Sequence, residues 1–158
     1  MSSTVHATPL DPQSALHERV APGDFLDCYT VRSNMPPRPA AEIIAKFPGW
    51  VRFLVALRGL IVAPFGLKTK GPRNVDKVGE FPVESETPEE VIAGFNDRHL
   101  DFRISVTSRD GQVSLATWVR RHNLGGRLYL ALIMPFHILV VRNALARLAD
   151  HSGAGNGA

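Results

Sequence analysis

From residue 81 onward the chain alternates. Phe81 and Val83 are separated by a polar-compatible position, and Val91, Ala93 and Phe95 repeat the spacing. Leu100, Phe102, Ile104 and Val106 follow, then Val113, Leu115, Thr117 and Val119. Period-two alternation over four successive segments predicts an antiparallel meander with one buried face. Asn96-Asp97 and Asp110-Gly111 are two-residue hairpin signals. Upstream, Asp24–Val31 is rich in β-branched and aromatic residues and reads as a first strand. Pro36, Pro37 and Pro39 break it, and Pro39 suits the start of a helix reaching about Phe47, with Ile43, Ile44 and Phe47 on one face. Residues 50–63 read as a second, strongly apolar helix, and the Gly-, Pro- and Lys-bearing stretch 66–77 as an exposed loop near a cavity entrance.

The last segment, Leu124 to about Ala149, has helical composition and length. Gly125-Gly126 loosen its start. Pro135 lies inside it, removing a backbone donor and crowding the carbonyl of Ala131, so a kink is expected near 131–135. An interior proline costs about 3 kcal/mol relative to alanine. The compensation is either a bend around a curved sheet or space opened beneath 131–137 for a ligand. The stretch 128–141 carries no formal charge, but it is shorter than the ~20 residues a membrane span requires.

Two-residue turns fix the pairing. Around Asp110-Gly111, Val106 faces Leu115, Ile104 faces Thr117, Phe102 faces Val119 and Leu100 faces Arg121. Arg103 opposes Trp118, Asp101 opposes Arg120 and His99 opposes His122 on the other face. Around Asn96-Asp97 the same count sets Ala93 against Leu100, Val91 against Phe102 and Glu90 against Arg103. His99, Asp101, Arg103, Arg120 and His122 therefore read as an outward charge ladder with Glu90 and Trp118 beside it, and the Asp101–Arg120 pair as structural.

Size permits one core. A chain of 158 residues and 17.3 kDa buries roughly 69% of its unfolded surface, enough for a single domain. The expected division is a disordered tail over 1–17, one domain over 18–150 and a second disordered tail over 151–158. The formal charge of +3 is too small to argue for nucleic acid, and no aromatic residues interleave with the lysines. Residues 46–77 nevertheless hold seven cations against one anion, and 78–110 hold eight acids against three arginines. Cys28 is the single cysteine, which excludes an intrachain disulfide and a multi-cysteine metal site. No secretory pattern opens the chain, so a reduced, cytoplasmic setting is expected. No glycine-rich nucleotide fingerprint and no metal or cofactor set is readable.

The order of strand, helices, meander and long helix resembles the helix-grip fold of the START and birch-pollen-allergen (SRPBCC) superfamily. The stretches APFGLKT (63–69), GFNDRHLDFRISV (94–106) and NLGGRLYLALIMPFHILVVRNALARLA (123–149) resemble, more closely, a bacterial family catalogued as domain of unknown function 2867. The resemblance implies an α+β fold: a curved antiparallel sheet covered by a long kinked C-terminal helix, with a two-helix insertion after the first strand. It also implies an apolar cavity between sheet and helix, and relatives fused to short-chain-dehydrogenase-like domains. The leading reading is a module binding a small hydrophobic or amphipathic molecule. Its wall would comprise Phe81, Val91, Phe95, Phe102, Ile104, Leu115, Thr117, Val119, Arg121, Met134 and His137, with Leu132 and Phe136 beside them. Thr117 and Arg121 are the polar exceptions on the inward face and require a partner there. The alternatives are a homodimerisation or interaction module, accessory to a short-chain-dehydrogenase-like protein, and a cyclase- or hydratase-like enzyme using His137 or Arg121.

Overall fold

The computed structural model describes residues 4–45, 76–78, 81–96, 100–122 and 124–155. The helix expected over 50–63, nearly all of the loop 66–77 and His99 lie outside them. Chain order is β1 (His6–Ala7), a 3-10 turn (Ala15–Glu18), β2 (Phe25–Arg32), α1 (Pro37–Ile44), β3 (Lys77–Val78), β4 (Phe81–Glu86), β5 (Glu90–Asn96), β6 (Leu100–Arg109), β7 (Gln112–Arg121) and α2 (Leu124–Gly155). The fold is α+β. The strands form a seven-stranded antiparallel sheet ordered β1-β2-β7-β6-β5-β4-β3. Among the described residues no helix is long and apolar enough to cross a membrane.

The β6–β7 hairpin has the register counted from sequence, from Arg109↔Gln112 through Phe102↔Val119 to Leu100↔Arg121. Asp110 (φ 53°) and Gly111 (φ 74°) both take positive φ, the geometry whose twist matches the flanking strands. The β5–β6 register differs from the count. Val91 faces Val106, Ala93 faces Ile104 and Glu90 faces Thr107, because Asn96 pairs with Asp101 and the connection is longer than a two-residue turn. The displacement is an even number of residues, so every side chain keeps its face while changing its partner. Gly94 is obligatory in this ladder: at φ 155° a Cβ would lie 2.1 Å from the Phe102 carbonyl oxygen.

One face of the sheet packs against the helices. Val31, Val91, Ala93, Ile104, Val106, Val113 and Leu115 meet Ala40, Ala41 and Ile44 of α1 and Val141, Ala144, Leu145 and Leu148 of α2. The α2 contacts recur at three- and four-residue steps, the stripe of a core-facing helix. On α2, Leu124, Leu128, Phe136 and Leu139 are exposed.

The opposite face, expected to be a solvated charge ladder, is buried at its centre, while Arg120 and His122 stay partly exposed. Trp118 is 1% exposed, Glu90 6% and Arg103 7%. Their cover is the N-terminal segment, read from sequence as a tail: Leu10 and Leu16 pack with Cys28, Ile92, Ala116 and Trp118. Apolar residues at positions 10 and 16 without periodicity gave no strand or helix signal, yet they cap a sheet that would otherwise expose Trp118. Glu90 fixes this segment by accepting from Ala15 N (2.9 Å) and from the hydroxyls of Ser14 and Ser105. Arg109 Nε donates to Asp11 Oδ2 at 2.8 Å. At the other end, helical structure continues to Gly155 through the stretch expected to be a second tail.

Asp101 and Arg120 are cross-strand neighbours, as counted, but each bonds elsewhere. Arg120 holds Asp24 at 3.1 Å and stacks over Trp118, while His122 Nε2 donates to Asp101 at 3.0 Å. Arg103 joins Glu84 rather than Glu90. The reason is burial: a nearly enclosed Asp24 needs donors, and Arg120, Trp118 Nε1 and Ala21 N supply them. Burial alone would push the Asp24 carboxyl up, but these hydrogen bonds outweigh it and hold it below the ordinary value.

Two predictions follow from the outer face. Leu16→Ala, at a fully buried position, lowers unfolding free energy by about 2–4 kcal/mol in urea titration, whereas a tail residue would be neutral. Because the Asp24 carboxyl is depressed in the fold, its contribution is present above the unfolded value near pH ~4 and fades as pH falls through the folded value. Asp24→Asn is therefore less stable at neutral pH, and its stability declines less steeply than the wild type's below about pH 4.

Candidate functional site

Along the helix-facing side of the sheet the apolar side chains form two groups. In the larger, the small side chains Ala40, Ala41 and Ala144 allow α1 and α2 close approach, and Val91, Ile104 and Leu115 are sealed among them. In the smaller, Leu100 and Val119 are buried and Phe25, Phe102 and Met134 only partly so. Phe81 extends this shelf, its ring 5.3 Å from that of Phe102. Phe95 pairs in register with Phe102. The predicted wall residues are thus divided. Val91, Ile104 and Leu115 are buried in the larger group, against which Phe81 and Phe102 also pack, while Val119 and Met134 belong to the smaller one, with Thr117, Arg121 and His137 at neighbouring positions. Phe136 points away from the sheet and is exposed.

Polar groups interrupt this apolar shelf at one level. Strand β2 pairs with β7 so that Phe25 faces Val119, Asp27 faces Thr117 and Tyr29 faces Leu115. Pleating therefore sends the Asp27 carboxylate to the helix side, with Phe25, Tyr29 and Val31. There His137, one turn before Val141 on the buried stripe of α2, meets it: Nε2–H donates to Asp27 Oδ2 at 3.0 Å. Phe25 contacts the imidazole edge-on at 6.1 Å between ring centres. Asp27 Oδ1 is buried and has no hydrogen-bond partner among the described residues. Thr117, almost fully buried, stands opposite in the ladder.

The chemistry of the pair follows from its geometry. A carboxylate only accepts, so the imidazole proton sits on Nε2 and a neutral ring leaves Nδ1 as an acceptor. The second carboxylate oxygen is an acceptor lacking a donor. Sequence analysis singled out His137 but missed Asp27. The available signal was the parity of the first strand, where Asp27 alternates in step with Phe25, Tyr29 and Val31.

Other reactive side chains have structural roles. Burial pushes the Cys28 thiol up, away from thiolate chemistry, and the Thr8 hydroxyl rests 3.5 Å from its sulfur. Among the described residues no three His, Cys, Asp or Glu side chains gather as metal ligands. A second surface cleft, of about 370 Å³ between Gln13, Pro88 and Arg109, is bordered by the Glu90 anchor of the N-terminal segment.

A carboxylate with one unsatisfied oxygen on an apolar face costs stability. The combined replacement Asp27→Leu with His137→Leu is expected to raise unfolding free energy by about 1–2 kcal/mol, read from denaturant midpoints. A loss of stability would instead identify the pair as a packing device.

Neither a curated protein nor a solved structure matches the chain. The model of one family, described as "Protein of unknown function (DUF2867)", matches residues 20–144, a span that includes Asp27, Thr117, Arg121 and His137. The sheet, its covering helix and the Asp27–His137 pair are thus the structure of a protein that belongs to the DUF2867 family.

Proposed function

We propose that the protein binds a small amphipathic molecule on the helix-facing sheet surface beside the Asp27–His137 pair, in the manner of a helix-grip domain of the SRPBCC type. The observation carrying this reading is Asp27 Oδ1, a buried acceptor without a donor among the described residues, set within an apolar shelf. A ligand hydroxyl or amide N–H satisfies it, and the rings of Phe25, Phe102 and Phe81 supply contact for an apolar body. The setting is cytoplasmic, which suits a buried free thiol at Cys28. Bound on this surface, the ligand lies between strands held in fixed register and a helix that contributes Met134 and His137.

A second reading has its own support. An imidazole fixed by a carboxylate at Nε2 is the arrangement of a general base, so a bound carbonyl compound would be placed for proton abstraction at Nδ1 in a cyclase- or hydratase-like reaction.

Titration with 1-octanol, followed by amide and methyl NMR shifts, tests the binding function. Shifts are expected at Phe25, Asp27, Thr117, Val119, Met134 and His137, with Val106 and Val113 unmoved. Asp27→Leu weakens binding by about tenfold, the loss expected for one hydrogen bond to a charged group. No shift, or shifts scattered over both faces, sinks the proposal. For the enzymatic reading, 2-octanone in D2O should take up deuterium beside its carbonyl faster with the wild type than with His137→Gln.

A further inference from the structure

Five arginines among the described residues meet carboxylates at short range, and two others line a common cleft. Arg19 and Arg103 meet Glu84, Arg38 meets Asp76, Glu42 and Glu86, Arg109 meets Asp11 and Glu89, and Arg120 meets Asp24. Arg121 and Arg127 have no carboxylate partner among the described residues, and they line the same cleft. It measures about 260 Å³ and is completed by His122 and Leu124. Arg121 is anchored through Nη2 to the Gly23 carbonyl, a neutral partner that orients the guanidinium without cancelling its charge. His122, on the cleft wall, donates through Nε2 to Asp101 at 3.0 Å. The cleft therefore holds two uncompensated guanidinium groups and an imidazole edge.

Its position links it to the shelf. Arg121 is the helix-side residue that follows Val119 on β7, directly across from Leu100. Thr117, at the level of Asp27 and His137, lies four residues back along the same strand, about 13 Å away at strand spacing. Between the two levels are Val119, Leu100, Phe25 and Met134, all apolar. The surface thus runs from a buried acceptor, across an apolar stretch, to a cationic cleft.

We infer that Arg121 and Arg127, with His122, form a binding site for the anionic head of an amphiphile, a carboxylate or a phosphate monoester, whose apolar chain lies on the Phe25–Val119–Met134 shelf. The inference rests on the proposed binding function in taking head and chain to belong to one molecule. Planar guanidinium groups present paired N–H donors that match the oxygens of either headgroup, and two of them from different elements fix its orientation. Leu124, mostly exposed at the rim, adds an apolar wall beside the charges.

The test is calorimetric titration of the full chain with octanoate, octyl phosphate, 1-octanol and inorganic phosphate. Octanoate or octyl phosphate should bind about ten- to a hundredfold more tightly than 1-octanol, the margin expected for charge-assisted hydrogen bonds. Arg121→Gln combined with Arg127→Gln should abolish that margin, and Arg127→Gln should leave the 1-octanol affinity unchanged. Arg127→Gln alone, at an exposed position, removes part of it and serves if loss of the Gly23 contact prevents the double variant from folding. Equal affinity of the wild type for all three chains, or a margin that survives substitution, overturns the inference while sparing the shelf. If no chain-bearing probe binds, the shelf reading has failed and inorganic phosphate decides the cleft alone. Phosphate binding lost in the arginine variant upholds an anion site, and no phosphate binding ends it.

Discussion

The β6–β7 ladder is the constraint on which the rest depends. Two ten-residue strands joined at Asp110-Gly111 leave no freedom of register, because only residues tolerant of positive φ can make so tight a turn. Pleating then assigns each side chain to a face. Thr117, Val119 and Arg121 go toward the helices, and Trp118 and Arg120 go away from them. Strand β2 inherits the assignment by pairing with β7, and this is what carries Asp27, rather than Asp24, to the helix side. A slip of one residue would bury Arg120 under α2 and expose the Asp27–His137 pair.

Both faces of the sheet are covered, by unlike means. On the helix side the cover is in two parts. Alanines at the α1–α2 contact let the helices close over one group, and Phe25, Phe102 and Met134, each partly buried, flank a second group around Leu100 and Val119. On the other side, a short segment with little regular structure is held by polar anchors. Glu90 has no cation against it among the described residues and is satisfied by hydroxyl and amide donors. Such anchoring is directional, so it sets the position of residues 11–18 more sharply than Leu10 and Leu16 could by packing alone.

Much of this was legible in the chain. The alternation from Phe81 to Val119 sorted the meander, and Asp110-Gly111 located its central turn. His137 and Arg121 stood out as polar residues in apolar surroundings. Three things were hidden, each for a physical reason. The β5–β6 register depends on loop length, which the Asn96-Asp97 pair does not determine, although an even displacement left the faces right. Leu10 and Leu16 have no periodicity because the segment carrying them follows the sheet surface rather than its own helix or strand repeat. Asp27 became visible only through its partner strand: an isolated acid in DFLDCYTV has no face until β2 is paired with β7.

The N-terminal segment has a consequence for how the chain assembles. Ser14 bonds Glu90 across 76 positions, and Arg109 reaches Asp11 across 98. Contacts of such sequence separation form late, since the loop entropy of bringing the ends together precedes any return from them. During synthesis residues 4–18 emerge before β7, yet their docking surface does not exist until Trp118 on β7 has been made and paired. A segment made before the strands that receive it is thus late to find its place, and until then Leu10 and Leu16 remain open to water or to a chaperone.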